Sequence, residues 1–250
     1  MKKAAWTAFC GARDRYREGV EKFRRAFPGL KTLQQSLADS RSGPGYTVRR
    51  SLVYNQALDE VAPADEIRLI LVGDNPGRRE QETGRYLAGP SGKIAEGFFH
   101  TAAELGIDLR KNVLILNKTP VHSPRTGELK ELCRLGGPDF ARRIGETQRF
   151  MASVLLEFHR ALSAGGACPA LPVWIIGYSE MKERGIFEPY TRALGEDCPG
   201  TPLGDSLFLY RHFSMNQFSS DLRRQIQEGE GLPAALDRIG RAYRKRILGW

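Results

Sequence analysis

Four short aliphatic runs, each followed by a stretch with helical spacing, constrain this 250-residue chain more than any other feature. They are "IRLILVG" from Ile67, "NVLILN" from Asn112 to Asn117, "PVWIIG" from Pro172 to Gly177, and "SLFLYRHFS" from Ser206. Each is short, bounded by turn residues and rich in aliphatic side chains, so each reads as a strand buried on both faces. Between them, "SGKIAEGFFHTAAELG" predicts a helix with Ser91 as its N-cap and Gly106 as its stop. "GPDFARRIGETQRFMASVLLEFHRALS" sets Ile144, Phe150, Val154, Leu155 and Phe158 at helical spacing. Helices are also expected in "KERGIFEPYTRAL" and from "FSSDLRRQIQEG" onward. Strand and helix in alternation predict an α/β fold, a single-domain three-layer α/β/α sandwich around a mainly parallel four-stranded sheet.

No Pro/Gly/Ser-rich linker separates two periodic blocks, and 41% hydrophobic residues suffice for one core. The α/β body is expected over 61–250. Residues 1–60 read as a basic helical extension packed on the same domain, with Tyr16, Val20, Phe23 and Phe27 along one side of a helix over 11–27. No apolar run reaches transmembrane length, and the amino terminus lacks the apolar core of a secretory signal. The expectation is a cytoplasmic monomer with no membrane contact. Cys10, Cys133, Cys168 and Cys198 lie far apart without a C-x-x-C pair, which suits buried free thiols and neither a disulfide framework nor a zinc site.

The formal charge is +9, and it is unevenly spread. Residues 1–50 hold twelve Lys/Arg against four Asp/Glu, and the last fifty hold eight against five. Two basic ends on one folded body suit a polyanion such as nucleic acid, although solvated helix faces would give the same count.

In a parallel sheet, ligands sit outside the carboxyl ends of the strands. Three of the four predicted strands end in polar groups: Asp74-Asn75, Asn117-Lys118 and His212-Phe213-Ser214. Asn and Asp also favour turns, and a lone His is most often a surface residue. Three such ends on one sheet edge nevertheless point to a shared site. The loop after the first strand, "GDNPGRREQETGRYLAGPSGK", is not a Walker A loop. Leu87 stands where its first glycine belongs, and Ile94 where the magnesium-binding Ser/Thr belongs.

That loop resembles the uracil-DNA glycosylase superfamily. Its thermophile-type branch, family 4, carries a pattern close to G-E-x-P-G-x-x-E-x-x-x-G-R-P-F-x-G-x-x-G-K. Gly73, Pro76, Gly77, Glu80, Gly84, Arg85, Gly89, Gly92 and Lys93 match it without a gap. The turn Gly-Asp-Asn-Pro-Gly is closer to the G-x-N-P-G of the mismatch-specific and single-strand-selective branches, in which the Asn positions the attacking water; Asn75 takes that place. "LILN" delivers Asn117 where the superfamily has a base-reading Asn, and His212-Phe213-Ser214 stands for its H-P-S motif. Three departures are plain. Leu87 replaces the phenylalanine that stacks on the flipped base, Tyr86 replaces the proline before it, and Phe213 replaces the motif proline. The four-cysteine spacing of family 4 is absent, so no iron–sulfur cluster and no metal is expected.

The resemblance implies a DNA glycosylase of base-excision repair, a hydrolase acting on uracil or another deaminated or mispaired base. Asn117 would offer a donor and an acceptor to the base edge, with Leu87 and Tyr86 beside it. His212 would donate to the base oxygen where charge accumulates. Asn75 would orient water, and Asp74 is either a proton acceptor or a turn-capping acid. Gly77, Gly92, Lys93 and Ser214 are expected to meet the DNA backbone. Two other readings stay open at this level: a glycosylase-fold nucleic-acid-binding protein with little or no catalysis, and a hydrolase of small nucleosides.

Overall fold

The computed structural model of the chain describes residues 1–42, 45–163 and 171–250. Its centre is a four-stranded sheet of β1 (Leu69–Gly73), β2 (Val113–Asn117), β3 (Val173–Ile176) and β4 (Leu207–Tyr210). The order is β2-β1-β3-β4 and all three pairings are parallel. Successive strand side chains point to opposite faces, and all but one of the sheet's side-chain positions carry aliphatic or aromatic groups buried on both sides. Helices therefore cover both faces, giving an α/β/α sandwich. All four strands are shorter than the runs that announced them, and β4 stops two residues before His212.

Around the sheet lie α1 (Lys3–Ala26), α2 (Leu30–Ser42), α3 (Arg78–Thr83), α4 (Pro90–Thr101), α5 (Thr126–Ser163), α6 (Glu188–Asp197), α7 (Pro202–Asp205), α8 (Gln217–Gln225) and α9 (Leu232–Leu248). The first helix begins well before residue 11 and buries Phe9, Ala12, Tyr16 and Val20. In α4 the N-cap is Gly89, not Ser91. Pro90 occupies the first turn, where its missing N–H and fixed φ cost nothing, and this moves the start upstream. The helix then ends at Thr101, and a 3-10 turn (Ala103–Leu105) carries the chain to Gly106. The helical stretch expected from residue 137 starts earlier, at Thr126; Gly137, at φ 78°, and Pro138 break it into two segments.

The amino-terminal residues are tied to the loops at the top of the sheet. Gln34 donates through Nε2 to the carbonyls of Ser51 (3.0 Å) and His122 (2.7 Å). Of the cysteines, Cys198 is buried while Cys10 and Cys133 are only partly so; Cys168 lies outside the described residues. No described helix is long and apolar enough to cross a membrane.

Candidate active site

The carboxyl ends of β1 and β2, with the segments that follow β3 and β4, enclose a cavity of about 510 Å³. Asp74, Asn75, Asn117, Leu87 and His212 all face it, with Gly77 and Ser214 at its walls. Its size falls in the ordinary range for a small-ligand site, about 300–1,000 Å³.

Asn117 ends β2 opposite Gly73 of β1. A side chain at Gly73 would bring its Cβ to 2.5 Å from Asn117 Oδ1, so the glycine is what lets the amide lie across the strand end. The Asn117 residue is 2% exposed, and its Nδ2 has no hydrogen-bond partner. A buried amide donor left unmatched costs on the order of 1–3 kcal/mol, which a ligand acceptor in the cavity would offset.

Asn75 is oriented by its nitrogen. Nδ2 donates to the Ser123 carbonyl and the Ser123 hydroxyl, each at 3.0 Å, and more weakly to the Pro76 carbonyl at 3.2 Å. The side-chain oxygen is thereby left as the acceptor. The turn itself is held by His122, whose Nδ1–H donates to the Pro76 carbonyl at 2.8 Å while its Nε2 accepts from the Tyr46 hydroxyl at 2.5 Å. Burial lowers the His122 pKa to about 4, so this imidazole is neutral at physiological pH.

His212 stands two residues beyond β4. Its Nδ1 accepts the Ser214 backbone N–H at 3.0 Å and lies 2.8 Å from the Ser214 hydroxyl. An acceptor Nδ1 leaves the proton of the neutral ring on Nε2. Burial pushes the His212 pKa down; Asp74 pulls it up and Lys118 adds to the lowering. The cavity therefore receives a neutral imidazole with Nε2–H as donor. Phe213, which stands in the H-P-S proline position, is fully buried and stacks on Phe218 at 4.4 Å. Aromatic packing replaces a locked φ as the anchor of this turn.

Residues 60–153 match the family model described as the uracil DNA glycosylase superfamily. Over that region the chain is similar to the uracil-DNA glycosylase superfamily. Comparison with curated proteins gives no match. The matched region contains β1, the Asn75 turn, β2 and Asn117; His212 lies outside it and is brought in by β4.

Other expected site residues sit elsewhere. Tyr86 does not line the cavity. It is 1% exposed, its hydroxyl donates to the Val53 carbonyl at 2.6 Å, and it accepts from the Tyr16 hydroxyl at 2.6 Å. Tyr86 and Leu87 form a turn that sends Leu87 to the cavity and Tyr86 to the core. Leu87 itself has φ 50°, a left-handed conformation that a branched side chain rarely takes. Glu80 accepts its N–H at 2.5 Å and Arg110 donates to its carbonyl at 2.7 Å.

Gly92 and Lys93 do not form a phosphate cradle at this cavity. Both amides donate to the Gly89 carbonyl, at 3.0 and 3.2 Å. The absence of a side chain at Gly92 serves the Leu87 carbonyl, which a Cβ would meet at 1.7 Å. Lys93 is exposed and outside the cavity lining. The Gly77 amide donates to Glu80, and the polar atoms of Ser214 serve His212, so neither presents a free donor for a phosphate.

Sequence reasoning missed three residues of the site. Ser123 orients Asn75. Glu80 lines the cavity with its pKa raised by burial to about 7, against the pull of the Gly77 and Leu87 amides and Arg110. Met215 is 82% exposed at the cavity rim, with φ 51°, and follows the His212 turn directly. Among the described residues, no group of three or more His, Cys, Asp or Glu side chains is placed to hold a metal ion.

Proposed function

We propose that this protein is a monofunctional DNA glycosylase that hydrolyses the N-glycosidic bond of uracil or another deaminated or mispaired base, acting as a cytoplasmic monomer in base-excision repair. The observation that carries the reading is the meeting of Asn75, Asn117 and His212 in one cavity, each with a polar atom free for a ligand. Cleavage breaks the bond between C1′ and the base nitrogen, the electron pair leaving with the base. Asn117 Nδ2 would meet a carbonyl of the flipped base, and His212 Nε2–H the oxygen on which the negative charge collects. One such donor contributes about 2.7–4 kcal/mol of barrier reduction. Asn75 Oδ1 would hold the water whose oxygen bonds to C1′, and the carboxylate of Asp74 beside it would face the positive charge on the sugar.

The nucleotide must leave the duplex to reach such a cavity. The exposed Met215 at the rim supports that step, since apolar side chains fill the space that an extruded base vacates. The exposed Arg125, also on the rim, and the basic amino-terminal segment supply positive charge for the DNA backbone. Oligonucleotides carrying uracil, a thymine mismatch, hypoxanthine or xanthine, followed by alkaline strand scission, test the reading. Scission at one of these sites, lost in Asn117→Ala and His212→Ala, is expected. Binding without scission at every one of them would leave only a nucleic-acid-binding role.

A further inference from the structure

Lys118, the residue after the base-reading Asn117, is fully buried, a rare state for an ammonium group. Its Nζ lies 2.6 Å from Asp74 Oδ1, 2.6 Å from the Ile176 carbonyl and 3.4 Å from the Gly73 carbonyl. The Phe187 ring lies 5.0 Å from it. One ammonium thus joins the carboxyl ends of β1, β2 and β3 beneath the cavity, and each of its three hydrogens has an acceptor.

The carboxylate it holds is accommodated from the other side as well. Gly177, which follows β3, has φ 80°, and a Cβ there would stand 2.4 Å from Asp74 Oδ1 and 2.9 Å from Oδ2. With Oδ1 taken by Lys118, Oδ2 is left to the Thr126 hydroxyl at 3.3 Å, and both Asp74 and Thr126 line the cavity. Lys118 itself does not line it. The amine lies behind the carboxylate, out of reach of a sugar carbon.

We infer that Lys118 is a positioning residue for Asp74: the ion pair fixes the carboxylate as a stationary negative charge at the cavity floor. This rests on the glycosylase reading above and deepens it. It gives Asp74 the part of an electrostatic partner to the cationic sugar. It also excludes Lys118 as an amine nucleophile that would form an imine with C1′.

A double-mutant cycle tests the inference. Lys118→Met should lower kcat at least about ten-fold with KM little changed. In an Asp74→Asn background the same substitution should cost little more, because it acts through a charge already removed. A merely structural lysine would reduce activity equally in both backgrounds, and that result would overturn the inference. So would a borohydride-trapped protein–DNA adduct that disappears with Lys118. Should Lys118→Met fail to fold, Gly177→Ala displaces the same carboxylate from the opposite side and should show the same dependence on Asp74; full activity there would count against the assignment. A crystal structure of whichever variant folds is independent of turnover. Asp74 should have left its position, and an unmoved carboxylate refutes the positioning role even if no glycosylase substrate is found.

Discussion

The hydroxyls of Tyr16 and Tyr86 lie 2.6 Å apart in the interior, joining the first helix to the residue beside Leu87. Because Tyr86 gives its proton to the Val53 carbonyl, Tyr16 is the donor of the pair. Tyr86→Phe removes one donor and one acceptor and leaves Val53 unmatched. A loss of about 1–3 kcal/mol in stability is expected by urea unfolding. The ratio of excision rates among bases should be unchanged, and an altered ratio would return Tyr86 to the base pocket.

Asn75 should affect the chemical step and not DNA capture. Asn75→Ala is expected to reduce kcat by about 10²-fold, the usual scale for a misplaced reactant. Its affinity for DNA, measured by fluorescence anisotropy, should stay within about two-fold. A parallel loss of affinity would mean that Asn75 binds the strand and does not orient water.

His122 and Glu80 make opposite contributions to pH-dependent stability. The folded-state pKa of His122 is lowered to about 4, so its contribution is present above the ordinary imidazole value and is lost as pH falls. Glu80 is raised to about 7, so its contribution is present below the ordinary carboxyl value and is lost as pH rises toward 7. Each shift corresponds to roughly 3 kcal/mol across its window. Urea melts from pH 4 to 7 should therefore show stability falling with rising pH in His122→Asn, and rising with pH in Glu80→Gln. Identical slopes in the two variants would contradict both environments.

Met215 should matter in proportion to how firmly the target base is stacked. Met215→Ala is expected to slow excision from paired sites several-fold and to leave single-stranded sites nearly unaffected, since extrusion there costs little. Equal slowing on both substrates would place Met215 in the cavity chemistry.

The sheet was legible because a buried parallel strand needs an unbroken aliphatic run, and "IRLILVG", "NVLILN", "PVWIIG" and "SLFLY" supply four. The strand-end residues Asp74, Asn75, Asn117 and His212 followed from the rule that places ligands at that edge. The roles of Gly92 and Tyr86 were not legible. A glycine that admits a phosphate and one that admits the Leu87 carbonyl look alike in sequence, and it is the left-handed turn at Leu87 that decides which of Tyr86 and Leu87 faces the cavity. Lys118 was hidden for another reason. Lysine is almost always solvated, and its partner Asp74 follows the preceding strand, β1. The apolar residues before "NKTPV" are the one local hint that its side chain goes inward.

The turn that presents Asn75 is braced, through His122, by residues outside the family-matched region. Gln34 grips the His122 carbonyl, Tyr46 grips the His122 ring, and that ring grips the Pro76 carbonyl. Active-site loops commonly open by themselves, at little free-energy cost, while the rest of the fold stays closed. Here such local opening would have to undo contacts in α2 and the segment after it. The Ser123 amide, which donates to the Pro76 carbonyl at 3.1 Å, should then exchange its hydrogen as slowly as amides in β1 and β2. The Asn75 turn would come apart only with the whole molecule, so any part of the cavity wall that opens by itself is expected on the His212–Met215 side.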